Sequence, residues 1–332
     1  MFMSTLSTVA FSMLDLVPVR DCDSIAQALH NSLDLAQHLD RLGFKRFWLA
    51  EHHNMQGIAS SATAVLIGQI AAHTQHIRVG SGGIMLPNHA PLIVAENFGT
   101  LATLFPDRID LGLGRAPGTD PLTMRALRRD RMDGDNFPQQ VAELRALLAP
   151  ALPDQRLVAT PGAGTEVPVW LLGSSLFSAQ LAGQLGLPYA FASHFAPQLM
   201  HEAIHTYRSH FQPSETLKQP YLMLGVPLVA APTDAEALLL ATTSKQRILA
   251  LMRGQSLVLR PPRADIEAQM SPQEKAAVDS FLRAAVIGSV ETVKTKLEKL
   301  LLDTGADELM FVCDSYEHAH RLRTFDIVSS LR

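Results

Sequence analysis

The strongest constraint on the fold is an alternation that runs the length of the chain. Short runs rich in branched and aromatic residues take turns with longer stretches of helical period. Strands are predicted over residues 7–14, 46–50, 77–80 (resuming at 84–86), 109–113, 167–172, 189–192, 221–230 and 308–313. Helices are predicted over 24–42, 62–73, 91–105, 138–148, 176–185, 198–211, 234–252, 271–285 and 290–302, with a last one at the C-terminus. Ser24 is read as the N-cap of the first helix and Gly43 as its stop, and Pro91 opens the third. About eight strand–helix steps of this kind imply a parallel sheet, because each helix carries the chain back to the same end. The 332 residues show no composition break between halves. One closed (β/α)8 TIM barrel over residues 1–332 accounts for the alternations without an edge strand better than two open sheets do.

Composition narrows the function classes. At 47% hydrophobic and 18% charged residues the chain can bury a large core and does not read as disordered. A formal charge of -4 and scattered basic residues give no general pull toward nucleic acid or an anionic membrane. The apolar stretches break well short of the ~20 residues that a membrane span needs. No basic n-region precedes Asp15, so no signal peptide is expected. Cys22 and Cys313 lie in no C-x-x-C pattern, which suits a cytoplasmic protein with two unreactive thiols.

Active sites in α/β folds gather at the carboxyl ends of strands. There the apolar run 47–50 ends in Glu51, His52 and His53. Imidazole titrates near neutral pH, so His52 and His53 are candidate proton handlers. Neighbours on a strand point to opposite faces, which makes the pair a poor zinc site. The third strand carries Gly80, Gly82 and Gly83: the backbone either approaches something flat or bends in a bulge. Gly112, Gly114 and Gly118 follow G-x-G-x-x-x-G spacing, off the dinucleotide fingerprint. Arg115 either grips an anion or flat ring, or is a plain surface charge. Gly173, Ser174 and Ser175 lead into a helix, as a phosphate site or an ordinary N-cap would. Asp15, Asn54 and His194, at other strand ends, are weaker pocket candidates.

Two patterns are set aside. His201 and His205 match H-E-x-x-H, but Arg208 and Phe211 stand where the longer zinc motif has glycine and histidine. A solvated helix face is expected there, and no metal. Arg125, Arg128, Arg129 and Arg131 interleave with Asp130, Asp133 and Asp135, as a solvated segment would.

In series, Trp48–His53, the glycine block 79–91, the run 109–115 and the turn 171–175 resemble the luciferase-like flavin-dependent monooxygenases. That family includes the bacterial luciferase subunits, and the nearer subgroup is the bacterial luciferase-like oxidoreductases. The resemblance covers about residue 7 to 332. It implies a (β/α)8 barrel that binds reduced FMN at its carboxyl face. His52 falls on the family's functional histidine, and Gly82 and Gly83 on a pair joined by a non-prolyl cis peptide beside the flavin. Arg115 matches an arginine near flavin and phosphate. Ser174, Ser175 and Ser178, after Gly173, match the phosphate turn, and residues 253–270 match a mobile lid. Ser174 replaces a luciferase carboxylate and the lid is shorter, so light-emitting oxidation of long-chain aldehydes is not implied. Further implications are an NAD(P)H:flavin reductase as FMNH2 source, a small-molecule substrate and a homodimer. The family's deazaflavin branch makes F420 the alternative cofactor.

Overall fold

The computed structural model describes residues 5–116, 120–129 and 135–332. Its strands are β1 (Ala10–Asp15), β2 (Arg46–Leu49), β3 (Arg78–Met85), β4 (Ile109–Gly114), β5 (Val169–Gly173), β6 (Tyr189–Phe191), β7 (Leu222–Ala230), β8 (Val286–Gly288) and β9 (Glu308–Val312). The helices are α1 (Ile25–Arg41), α2 (Thr63–Ala72), α3 (Pro91–Leu104), α4 (Pro121–Ala126), α5 (Phe137–Leu148), α6 (Leu176–Gln184), α7 (Met200–His210), α8 (Asp234–Leu240), α9 (Thr242–Met252), α10 (Pro272–Phe281), α11 (Val290–Thr304) and α12 (His318–Ser329). β1 to β7 pair in sequence and in parallel, and β9 closes the ring between β7 and β1. The closed eight-stranded barrel expected from the alternation is present.

Three features depart from the sequence reading. A ninth strand, β8, pairs only with the last three residues of β7. Three residues are too few to show a period, and they fall in the gap between the helices predicted over 271–285 and 290–302. The helix predicted over 234–252 is two, α8 and α9, meeting at Ala241. Within the Arg-rich segment lies α4, whose N–H groups at Leu122 and Thr123 are capped by the Asp120 carboxylate. Arg131, Asp130, Asp133 and Gly118 fall outside the described residues. Elsewhere the local reading holds: the Ser24 hydroxyl accepts the Gln27 N–H, and Gly43 takes a left-handed φ of 72°.

The period of two along each strand divides the core. On β2, Phe47 and Leu49 join the layer between sheet and helices, while Trp48 points inside with Leu14, Trp170, Ala190, Met223 and Met310. Full burial of such side chains contributes roughly 1.5–3 kcal/mol each, so wall and interior both favour closure. The barrel floor is charged instead. Buried Arg46 bonds Asp110 at 2.6 Å and Glu308 at 3.0 Å, and its guanidinium sits 4.7 Å from the Trp170 ring centroid. Arg78 reaches the other Asp110 oxygen at 2.6 Å, and the Tyr221 hydroxyl donates to Glu308 at 2.8 Å. Desolvating these ions costs several kcal/mol each unless every one is paired, as here. The floor is thereby filled with paired charge, and the cleft described below lies at the other, carboxyl end.

Among the described residues no helix is long and apolar enough to cross a membrane. Both cysteines are free, Cys313 buried and Cys22 exposed.

Candidate active site

A cleft of about 270 Å³ occupies the carboxyl end of the barrel. Leu14, Met223 and Met310 form its floor, and Gly82, Gly83 and Gly114 one flat wall. Two of these three glycines are crowded, Gly83 against backbone and Gly82 against a side chain. A Cβ on Gly83 would sit 2.7 Å from the Gly112 carbonyl oxygen, and one on Gly82 would sit 2.5 Å from Leu14 Cδ1. The Gly82–Gly83 peptide is cis, as the resemblance implied, and the register between β3 and β4 shifts between Ser81 and Ile84. The bulge expected as one alternative for this block is therefore present.

The two histidines after β2 part company. His52 lines the cleft. His53 turns away, and its Nε2 lies 2.7 Å from Glu51 Oε1, the same oxygen that His89 Nε2 meets at 2.7 Å. The second Glu51 oxygen accepts the Met85 N–H at 3.0 Å. Burial works against the Glu51 charge, but the bonds from His53, His89 and Met85 outweigh it and pull its pKa down to about 2. The bond to Glu51 raises the pKa of His53 against the effect of burial. His53 is thus a brace between the ends of β2 and β3 rather than a cleft residue. Sequence reading missed Glu51 as the hub and His89 as its second partner. A histidine three residues beyond Leu86, in a block already rich in glycine and proline, was the available signal.

Beside that wall, after β5, which pairs with β4, Gly173, Ser174, Ser175 and Ser178 all line the cleft at the start of α6. Ser175 is the N-cap residue, yet its hydroxyl makes no capping bond. That leaves the hydroxyl, with the first N–H groups of α6, pointing at the space where an anion is favoured. Ser178 is committed elsewhere: its Oγ donates to the Ser175 carbonyl at 2.9 Å and lies 3.3 Å from the Tyr189 hydroxyl, bracing the turn. Arg115 also faces the cleft, with its guanidinium 4.3 Å from the Phe177 ring centroid.

The weaker candidates divide. His194 lines the cleft, its ring centroid 4.4 Å from that of Phe195 at a tilt of 47°, and burial lowers its pKa to about 4, so it is neutral at pH 7. Asp15 does not reach the cleft. Fully buried, it bonds Arg321 at 2.6 Å, Ser32 at 2.6 Å and the Val17 N–H at 3.0 Å, holding Val17 at a left-handed φ of 49°. Asn54 is exposed and reaches Asp120 at 3.3 Å, outside the cleft. His201 and His205 lie on the exposed face of α7. Among the described residues, the one group of ligand-type atoms close enough for a metal is Glu51, His53 and His89. The bonds to a shared carboxylate oxygen account for that convergence without an ion.

The family model for luciferase-like monooxygenases matches residues 9–308. The chain belongs to the luciferase-like monooxygenase family. It is 48% identical over 326 residues to the luciferase-like monooxygenase of Escherichia coli (strain K12), covering 98% of this chain and 97% of that one. It is 53% identical over 321 residues to the uncharacterized protein YvbT of Bacillus subtilis (strain 168), covering 96% of each. The solved structure of apo-MsnO8 superposes with a TM-score of 0.90 at 37% identity, over 98% of both chains.

In this luciferase-like chain a second cavity adjoins the first. Leu16, His52, His194 and Phe195 line both, so the two imidazoles stand at the junction. Its outer wall comes from α9, the end of α10 and the segment 253–270. That segment lies across the mouth, tied down by backbone bonds from Leu257 to Gln56 (3.1 Å) and from Leu259 to Val19 (2.8 Å).

Proposed function

We propose that this chain is a flavin-dependent monooxygenase that uses reduced FMN and O2 to oxygenate a small organic molecule. Reduced flavin, when bound, supplies the two electrons; one oxygen atom enters the product and the other leaves as water. The observation that carries the reading is one continuous stretch of cleft wall: glycine on β3 and β4, and beside it, after the adjoining strand β5, a serine turn at a helix start. The glycine wall suits a flat ring system, since Gly82, Gly83 and Gly114 present backbone without side chains to the cleft. The uncommitted Ser175 hydroxyl, the α6 N–H groups and Arg115 suit a phosphate. His52, at the junction of the two cavities, would hold or move a proton at its ring nitrogen, with neutral His194 beside it. Apolar walls would exclude water from the reacting atoms.

Supply of FMNH2 by a separate NAD(P)H:flavin reductase, a cytoplasmic site of action and a homodimer belong to the same reading. Sedimentation at micromolar concentration checks the dimer.

Anaerobic titration with reduced FMN and reduced riboflavin tests the cofactor site. FMN is expected to bind at least about tenfold more tightly, and Arg115→Ala to erase most of that difference while sparing riboflavin. Failure to bind reduced FMN, with tight binding of F420, would move the assignment to deazaflavin hydride transfer.

A further inference from the structure

The second cavity has a composition that the flavin reading does not use. Its volume is about 170 Å³, close to the ~150 Å³ apolar cavity that admits benzene. Met55, Ile58, Ile248, Leu251, Leu257 and Phe281 supply much of the wall. Besides His52 and His194, the ionisable side chains that line it among the described residues are Arg247 and Asp314, and these are spent on each other, Nη1 to Oδ1 at 2.5 Å. Their side chains are only 9% and 20% exposed, so the pair is largely out of water.

We infer that this cavity holds the substrate, and that the substrate is a neutral, compact, largely apolar molecule of about one ring in size, presented to the flavin site between His52 and His194. The inference rests on the flavin reading for the identity of the neighbouring cleft. Charge balance selects the class. A carboxylate entering the cavity would meet Asp314 and no uncommitted fixed cation among the described lining residues. An ammonium would meet Arg247. An unpaired ion in such surroundings loses its hydration for nothing. His194, held neutral by its burial, offers a hydrogen bond rather than a charge. A neutral molecule with one carbonyl or thioether group forfeits little on entry and gains apolar contact.

The test uses a near-isosteric pair, acetophenone and benzoate, titrated into the FMN-free full-length protein by calorimetry or ligand-observed NMR. Acetophenone is expected to bind at least about tenfold more tightly. Asp314→Asn, which leaves the Arg247 charge uncompensated, is expected to raise benzoate affinity about tenfold. Ile248→Trp, which fills the cavity, is expected to abolish acetophenone binding. Equal or tighter binding of benzoate by the unaltered protein overturns the inference. So does absence of acetophenone binding up to its solubility limit, or full retention in Ile248→Trp. Reduced FMN affinity, measured on the same samples, separates the two claims. Loss of FMN binding alone indicts the cofactor site, and loss of acetophenone selectivity alone indicts the cavity.

Discussion

At the scale of residues, Glu51 organises the end of β2 by accepting from His53, His89 and the Met85 N–H at once. Its pKa is depressed on folding, so its contribution to stability is present above the ordinary value of 4.5 and is lost as pH falls through about 2. The His53 pKa is raised, so its contribution is whole below 6.5 and is lost as pH climbs through the raised value. The cluster should therefore stabilise most between pH 4.5 and 6.5. Glu51→Gln is expected to cost roughly 2 kcal/mol and to flatten the alkaline decline. Urea midpoints of both proteins at about pH 6 and about pH 9 check this. An unchanged pH profile in the variant would remove Glu51 from the centre of the account. The turn of His53 away from His52 was not legible, because both follow the end of β2 and only the fold brings Glu51 and His89 to His53. Nor was the fate of Asp15, because Arg321 and Ser32 come from distant helices that sequence spacing does not bring together.

At the scale of elements, the glycines of β3 are not interchangeable. A methyl on Gly83 meets the Gly112 backbone at 2.7 Å, whereas one on Gly82 meets the end of the movable Leu14 side chain at 2.5 Å. Gly83→Ala is accordingly expected to cost roughly 1–3 kcal/mol and Gly82→Ala less, with thermal or urea denaturation as the measure. The reverse order would show that β3 and β4 are not held as close as described. Long periodic elements were legible with ends right to within a few residues, as α1 with its Ser24 cap illustrates. β8 and the break between α8 and α9 were not, for short strands carry no period and Ala241 is as good inside a helix as at its end. The charged floor escaped notice for a related reason. Arg46, Asp110 and Glu308 each read as a polar strand position, and only barrel closure turns all three inward onto one another.

At the scale of the whole molecule, the barrel is filled at one end and furnished at the other. Paired charge packs the floor, Trp48 and Trp170 fill the middle, and the two joined cavities take the mouth. The sequence blocks at the ends of β2, β3, β4 and β5 were legible because chemistry concentrates there in this fold. The second cavity was not, since α9, α10 and segment 253–270 assemble it from positions with no shared motif. The central claim is that this mouth lets reduced FMN react with O2 under the control of His52. The direct measurement is rapid mixing of the anaerobic complex of protein and reduced FMN with O2, followed by absorbance. The account predicts a transient spectrum distinct from reduced and oxidised flavin, outlasting anything seen with free FMN and shortened by His52→Ala. Direct conversion to oxidised flavin at the free-flavin rate, with His52→Ala indistinguishable from the unaltered protein, would contradict it.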